Sequence, residues 1–318
     1  MHKILIVKTT SMGDVIQYLP AVTDLRAHFP DAQIDWLIEE PFAPLARLHP
    51  AIRDVIPVAL RRWRRRLFLP STWKQIITLR KRLGSAGYSH VIDAQGLFKS
   101  ALLARLGRAP ISGYGRGSAR ETLATRFYAA HFDVSWERHA VERNRLLTAA
   151  ALGYGIDTSV DYGIHAQEPP ADAWRPTEPY ALLFTASARS EKLWPEPNWT
   201  ELGRALNRKG LNCVLPAGNA SERERAQRIA QQLSHAQLIP PMGLDALATI
   251  IERAQCAVGV DTGLSHLAAA LRVPIVAIYV ATEPGANGVA GDRSAINLGG
   301  PGHIPSVAEV LYHLRLWC

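Results

Sequence analysis

Short apolar runs alternate with longer amphipathic stretches along the first half of the chain. The apolar runs predict buried strands at Lys3–Lys8, Gln33–Ile38, Asp54–Leu60 and His90–Ala94. Helical periodicity predicts helices at about 14–28, 72–84, 97–106 and 139–152. Strands that alternate with helices in this way are typical of parallel βαβ units.

A polar, proline-rich stretch then interrupts the pattern, with Pro169, Pro170, Pro176 and Pro179. The alternation restarts after it. Strands are predicted at Tyr180–Thr185, Asn212–Pro216, Gln237–Ile239, Ala257–Val260 and Ile275–Val280. Helices are predicted near 197–209, 220–233, 244–253, 263–271 and 305–316. We therefore expect an α/β protein of two doubly wound domains, residues 1–166 and 167–318, whose last helix is free to pack back on the first domain. Ligands of such folds bind beyond the carboxyl ends of the strands.

Composition fits two folded cores, because 47% of the 318 residues are hydrophobic. No apolar run approaches the ~18 residues that a membrane span needs, and the amino terminus lacks a signal-peptide pattern. A cytoplasmic protein is therefore expected. Cys213, Cys256 and Cys318 have no paired spacing, and the histidines form no His-x-x-x-His pair, so neither a disulfide nor a metal site is predicted.

Charge is distributed unevenly. Residues 1–160 carry 23 Lys and Arg against 13 Asp and Glu, whereas residues 161–318 carry 13 against 15. A basic half indicates contact with a polyanion or an anionic membrane, and a generally basic surface is the alternative.

Two candidate motifs lie where a strand turns into a helix. In Lys8–Asp14, Gly13 permits close backbone approach at a helix start, and Asp14 lies in the first turn, where it also fits a plain helix cap. In Val260–His266, the Thr262, Gly263 and Leu264 amides are placed to bind a pyrophosphate, although the same residues fit an ordinary capping turn. The chain has neither Gly-x-Gly-x-x-Gly nor a Gly-Lys-Ser/Thr phosphate loop, which disfavours a Rossmann dehydrogenase or a P-loop kinase.

Two further segments carry polar or basic side chains. The loop at 184–195 offers Ser187 and Lys192 to phosphate oxygens, unless it is a simple solvated loop. Arg61–Arg66 has five arginines around Trp63, and we expect it to bind anions, either at the mouth of the ligand cleft or on a nearby surface loop.

Together these segments resemble glycosyltransferase family 9, the lipopolysaccharide heptosyltransferases, over essentially the whole chain. The matching segments are Val7–Val15, Val91–Ser100, His139–Arg143, Lys192–Pro195 and Asp261–His266. Within the family, Ile56–Arg64 favours the first heptosyltransferase over the second.

The resemblance implies a GT-B fold, two Rossmann-like domains facing across a cleft, and an inverting transfer of L-glycero-D-manno-heptose from ADP-heptose to the Kdo of Kdo2-lipid A. No metal or other cofactor is expected. Asp14 resembles the general base, and Lys192 and Asp261 complete the implied catalytic set. The implied donor-binding residues are Gly13, Ser187, Ala188, Lys192, Glu222, Met242, Asp261, Thr262, Gly263 and His266. The implied acceptor-binding residues are Arg61, Arg62, Arg64, Arg120, His139 and Arg143.

The chain departs from the family pattern in the donor loops. Thr185–Ala188 stands where His-Ala-Thr-Thr is common, so a phosphate contact at Ala188 must come from its backbone amide. Glu283 replaces a more usual Asp, and Asn287–Gly291 also differs. Either difference could bear on sugar specificity.

The resemblance also implies a monomer at the cytoplasmic face of the inner membrane, in peripheral contact with anionic lipid and without a nucleic-acid partner. Two alternatives stay open. One is another family member, such as the second heptosyltransferase, whose acceptor already carries heptose. The other is a basic module that binds anionic lipid or nucleic acid without turnover.

Overall fold

The computed structural model describes residues 2–157, 159–168 and 170–317. Contacts divide the chain into two compact units, Met1–Gly163 and Ile164–Cys318, where the sequence predicted a boundary between residues 166 and 167. Pro169 of the predicted linker and Cys318 lie outside the described residues.

The first unit folds around a parallel sheet with strand order β3-β2-β1-β4-β5-β6. Its strands are β1 Lys3–Val7, β2 Gln33–Glu39, β3 Ile52–Val58, β4 His90–Asp93, β5 Ile111–Tyr114 and β6 Ala130–Phe132. Its helices are α1 Met12–Ile16, α2 Leu19–His28, α3 Ala43–Arg47, α4 Leu60–Arg65, α5 Pro70–Gly84, α6 Phe98–Ala104 and α7 Ala140–Leu152. Pairing on both sides of β1 explains its unbroken apolar sequence, since Ile4, Leu5, Ile6 and Val7 are fully buried.

The second unit repeats this plan with strand order β12-β11-β10-β7-β8-β9. Its strands are β7 Tyr180–Phe184, β8 Asn212–Leu215, β9 Ala236–Leu238, β10 Cys256–Val260, β11 Ile275–Tyr279 and β12 Ala295–Gly299. Its helices are α8 Glu196–Arg208, α9 Ala220–Ala230, α10 Leu244–Glu252, α11 Gly263–Ala270 and α12 Val307–Leu314. The last helix, α12, packs into the core of this unit, and Trp194 donates a hydrogen bond from its indole to Pro305 O at 2.8 Å.

The structure corrects several predicted elements. Strands β5, β6 and β12 and helix α3 were not predicted. The helix predicted at 14–28 is two helices, because the chain ends α1 at Ile16 and starts again with Pro20 in the first turn of α2. The arginine run, for which no helix was predicted, is helical and forms α4. In the described part of the chain, no helix is long and apolar enough to cross a bilayer.

Candidate functional site

Five neighbouring strands of the second unit end at one edge of its sheet, because all of them run parallel. The predicted donor-binding residues of this unit follow these strand ends. Ser187, Ala188 and Lys192 follow β7, Glu222 follows β8, Met242 follows β9, and Asp261, Thr262, Gly263 and His266 follow β10. The fold therefore gathers residues that lie far apart in sequence along a single sheet edge, where ligands of such folds bind.

Asp261 contacts residues from the other loops at this edge. Its Oδ2 lies 2.6 Å from Lys192 Nζ and accepts a hydrogen bond from Thr282 Oγ1 at 2.7 Å. Its backbone oxygen accepts a hydrogen bond from Ser187 Oγ at 2.9 Å. The side chains of Lys192 and Asp261 are each only 18% exposed. The loops after β7, β10 and β11 are thus tied together by one carboxylate, and Thr282 is a member that the sequence reasoning missed.

Helix α11 starts directly after Asp261. Thr262 is its N-cap residue in an extended conformation, and no side chain caps the helix there. Gly259 lets the helix start approach β10 closely, because a Cβ at this position would lie 2.3 Å from Ser265 Oγ. His266, the fourth residue of the helix, is buried. The first turn of α11 can therefore offer backbone amides to anionic oxygens beside the Lys192–Asp261 pair.

Glu222 serves as a helix cap in this structure. Its carboxylate accepts hydrogen bonds from Gly218 N at 2.8 Å and Asn219 Nδ2 at 2.7 Å. Asn219 Oδ1 in turn accepts from Glu222 N at 3.0 Å, which closes a reciprocal cap on α9. The donor-binding role implied for Glu222 stays a prediction.

Met242 precedes α10 and is half-buried. It lines a cavity of about 380 Å³ together with Trp174, Pro240, Pro241 and Tyr180. The lining also includes five charged side chains, and Tyr180 stands at the amino end of β7, opposite the end of the strand that leads to the Asp261 edge. The donor-binding role implied for Met242 stays a prediction.

Asp14 occupies the equivalent edge in the first unit, where β1 ends. Its Oδ2 accepts hydrogen bonds from Ser11 N at 2.7 Å and Ser11 Oγ at 3.1 Å. Its Oδ1 lies 2.9 Å from Arg120 Nη2. The structure therefore brings the predicted base and one predicted acceptor-binding arginine into contact, and it gives Asp14 a helix-capping role as well.

Lys8 is a buried cation beside Asp14 to which the sequence reasoning assigned no role. Its Nζ donates to Ala94 O at 2.9 Å and to Asn144 Oδ1 at 3.4 Å. Burial lowers the pKa of Lys8 to about 8, against the opposing charge of Asp14. Burial raises the pKa of Asp14, but Lys8, Arg120 and the Ser11 hydrogen bonds outweigh it, so the pKa of Asp14 lies below its usual value. Asp14 is therefore ionised at neutral pH.

Gln95 holds the loop that carries Lys8 and Asp14, and Asp93, at the end of β4, holds the turn of Gln95 by accepting hydrogen bonds from the backbone amides of Gln95 and Gly96. Gln95 Oε1 accepts hydrogen bonds from Thr9 N at 2.9 Å and Thr10 N at 3.1 Å. Asp93 is fully buried, and burial raises its pKa to about 6 although Tyr128 donates a hydrogen bond to it at 2.8 Å. The signal that could have revealed these residues was a carboxylate at a strand end, followed by a glycine turn.

Arg143 and His139 lie at the start of α7. Arg143 is buried, donates from Nη2 to Ser118 O at 2.9 Å, and places its guanidinium 3.5 Å from the ring centroid of Trp136. Among the described ion pairs, none involves Arg143. His139 caps the helix by accepting a hydrogen bond from Val141 N through Nδ1 at 3.2 Å. A buried guanidinium without a carboxylate partner makes this region strongly attractive to anions.

Arg61, Arg62 and Arg64 form a separate group at the end of β3, and β2 lies between β3 and the strand that leads to Asp14. All three side chains are exposed, and Arg62 pairs with Glu40 at 2.9 Å. Glu39 caps their helix by accepting hydrogen bonds from the backbone amides of Leu60 and Arg61. The structure thus places them on the same sheet edge as Asp14 without direct contact between the two groups.

The profile of glycosyltransferase family 9, the heptosyltransferases, matches residues 76–310. The chain belongs to this family. It is 46% identical over 299 residues to lipopolysaccharide heptosyltransferase 1 of Pseudomonas aeruginosa, covering 93% of this chain and 83% of that relative. The structure of E. coli heptosyltransferase WaaC with ADP matches with a TM-score of 0.90 and 37% identity, covering 99% of this chain and 100% of that one. The structure of the same enzyme with ADP-2-deoxy-2-fluoro heptose matches with a TM-score of 0.86 and 37% identity, covering 99% of each chain.

Family 9 membership makes the chain a glycosyltransferase and confirms the resemblance found in the sequence. The fold prediction is also confirmed, since two parallel sheets flanked by helices match the WaaC structure over nearly the whole chain. Within the described residues, no group of three His, Cys, Asp or Glu side chains is arranged to hold a metal ion.

Proposed function

We propose that this family 9 glycosyltransferase moves L-glycero-D-manno-heptose from ADP-heptose to the Kdo of Kdo2-lipid A, with inversion and without a metal. The observation that carries the proposal is the Lys192–Asp261–Thr282 cluster directly before α11. It combines a cation with a helix start at a sheet edge, which is the chemistry that a departing diphosphate requires. Similarity to a heptosyltransferase solved with ADP and with an ADP-heptose analogue supports the choice of donor.

The second unit would bind the donor and stabilise its leaving group. When ADP-heptose binds, Lys192 exchanges part of its contact with Asp261 for a phosphate oxygen. The amides of Thr262 and Gly263 hold the remaining negative charge. As the bond from the anomeric carbon to the phosphate oxygen breaks, both groups stabilise the ADP that leaves.

The first unit would bind the acceptor and remove its proton. Asp14 is ionised at neutral pH and accepts the proton of the attacking Kdo hydroxyl, whose oxygen forms the new bond to the anomeric carbon from the side opposite ADP. Asp14 Oδ1 is held by Arg120. A Kdo carboxylate that binds Arg120 and Arg143 would draw Arg120 away and make Asp14 more basic at the moment of attack.

The lipid acceptor implies action at a membrane. We propose that the chain acts as a monomer in peripheral contact with the cytoplasmic face of the inner membrane, without a nucleic-acid partner. The excess of Lys and Arg in residues 1–160 supports contact with an anionic lipid surface.

The test is the rate of ADP release from ADP-heptose, measured with and without deacylated Kdo2-lipid A. We expect release that depends on this acceptor. Release only with an acceptor that already carries heptose would favour the second heptosyltransferase. Salt-sensitive binding of RNA or anionic lipid without ADP binding or ADP release would instead favour a binding module.

A further inference from the structure

An exposed apolar ridge runs from the end of α4 along α5. Leu67, Phe68 and Leu69 are 44%, 100% and 45% exposed, and Trp73 and Ile77 follow at 54% and 49%. Phe68 presents its whole ring to solvent. Side chains of this size rarely cluster on the surface of a soluble protein without a partner.

The ridge is a separate face of α5 and not a poorly packed part of the core. The buried side of α5 is formed by Thr72, Leu79 and Leu83, while Trp73 and Ile77 lie four residues apart on a different face. The side of α5 that faces the core therefore has apolar residues of its own. The apolar side chains of the ridge are not needed to pack α5 against the core.

Two tryptophans hold the ridge in place. Trp63 is buried in the core and donates from its indole nitrogen to Gln75 Oε1 at 2.8 Å, which ties α4 to α5. Trp73 donates from its indole nitrogen to Leu67 O at 2.8 Å, which fixes the connecting segment against the helix. The exposed apolar side chains are thus presented on an ordered support.

Positive charge surrounds the ridge. Residues 60–84 contain nine Lys and Arg and neither Asp nor Glu. The side chains of Arg64, Arg65 and Arg66 are exposed before the ridge, and those of Lys74 and Lys81 are exposed on the same side of α5 as Trp73 and Ile77. An apolar and aromatic centre bordered by cations is the pattern of a segment that lies in the interface of an anionic bilayer.

We propose that the α4–α5 segment, residues 60–84, docks the protein on an anionic lipid surface, with Phe68 and its neighbours inserted among the acyl chains. The inference deepens the membrane action proposed above and rests on it. Anionic lipid is favoured as occupant because, of the nine positive charges of the segment, the described ion pairs neutralise only those of Arg62 and Arg82, through Glu40 and Asp54. A second copy of this segment would repel it.

The test uses the full chain and acceptor-free vesicles of phosphatidylcholine, with or without phosphatidylglycerol, in a sedimentation assay. We expect binding that requires phosphatidylglycerol and weakens with salt. Phe68→Glu should weaken it about tenfold to a hundredfold, as loss of one buried Phe side chain implies. Lys74→Glu with Lys81→Glu should weaken it by about fivefold or more for each charge.

Matched controls lie in the second unit. Leu316 is 76% exposed, and Leu316→Glu should bind like the unchanged protein, as should Arg208→Glu with Arg293→Glu. Equal loss in these controls, or no loss in Phe68→Glu, would overturn the proposal. So would a dimer that Phe68→Glu dissociates in analytical ultracentrifugation.

Turnover separates this proposal from the proposed function. With water-soluble deacylated acceptor, Phe68→Glu should retain the kcat/KM of the unchanged protein, whereas with acceptor embedded in vesicles kcat/KM should fall. Absence of heptose transfer would contradict the proposed function but would not affect the conclusion from vesicle binding. An unchanged kcat/KM of Phe68→Glu on embedded acceptor would contradict the docking surface alone.

Discussion

Replacing Lys192 by Gln tests the candidate donor site most sharply. Lys192 Nζ lies 2.6 Å from Asp261 Oδ2, and both side chains are largely shielded from water. Removing the cation deletes the charged contact that we propose to the ADP diphosphate, a loss of about 1.5–3 kcal/mol or about tenfold to 150-fold in Kd. It also leaves the Asp261 carboxylate facing the diphosphate without a neutralising partner, which weakens binding further.

Isothermal titration of ADP at fixed salt measures the effect. The double variant Lys192→Gln with Asp261→Asn should bind ADP more tightly than Lys192→Gln alone, because the repulsive carboxylate is gone. Arg208→Gln is the charge-matched control, since Arg208 is exposed at the end of α8. An ADP Kd within twofold of the unchanged protein for Lys192→Gln would contradict the proposed phosphate contact, as would a double variant that binds ADP more weakly than Lys192→Gln.

The remaining predictions concern the first unit. Asp14→Asn should lower kcat by about 10²- to 10⁴-fold and leave the ADP Kd unchanged, measured by ADP release and titration; weaker ADP binding with retained turnover would contradict the base assignment. Lys8→Met should raise the pKa of Asp14, because the charge that lowers it is lost, so the acid limb of the kcat/KM profile should move to higher pH. An acid limb that stays in place would show that Lys8 does not lower the pKa of the catalytic base. Arg61→Ala with Arg64→Ala should raise the acceptor KM; a rise in the donor KM instead would show that the units are assigned to the wrong substrates.

The long buried strands and the helices that follow them were predictable from hydrophobic pattern alone. Strand β1 and strand β10 each have an unbroken apolar run, as burial on both faces demands. The missed strands lack that signal. Strand β6 is three residues long with an exposed His131, and β12 is a half-exposed edge strand. Pairing with a neighbour, and not local sequence, makes them strands.

The candidate site was predictable where residues sit next to a strand end. Asp14 and Asp261 could be found in this way, because ligands of doubly wound folds bind beyond the carboxyl ends of the strands, although both positions also fit a helix cap. Lys8 and Thr282 could not, since their importance comes from contacts with residues distant in sequence or from burial. The Arg61–Arg66 run was recognised by its charge but not as a helix, because the cap from Glu39 comes from a different strand.

Mass spectrometry of Kdo2-lipid A after incubation with ADP-heptose and the protein measures the transfer of heptose itself. We expect that the acceptor gains one heptose, that the Asp14→Asn variant adds almost none in the same time, and that ADP appears in equal amount. An acceptor that stays unmodified while a heptosylated acceptor gains mass would contradict the assignment of the first heptose, and no mass gain on either would contradict heptose transfer itself.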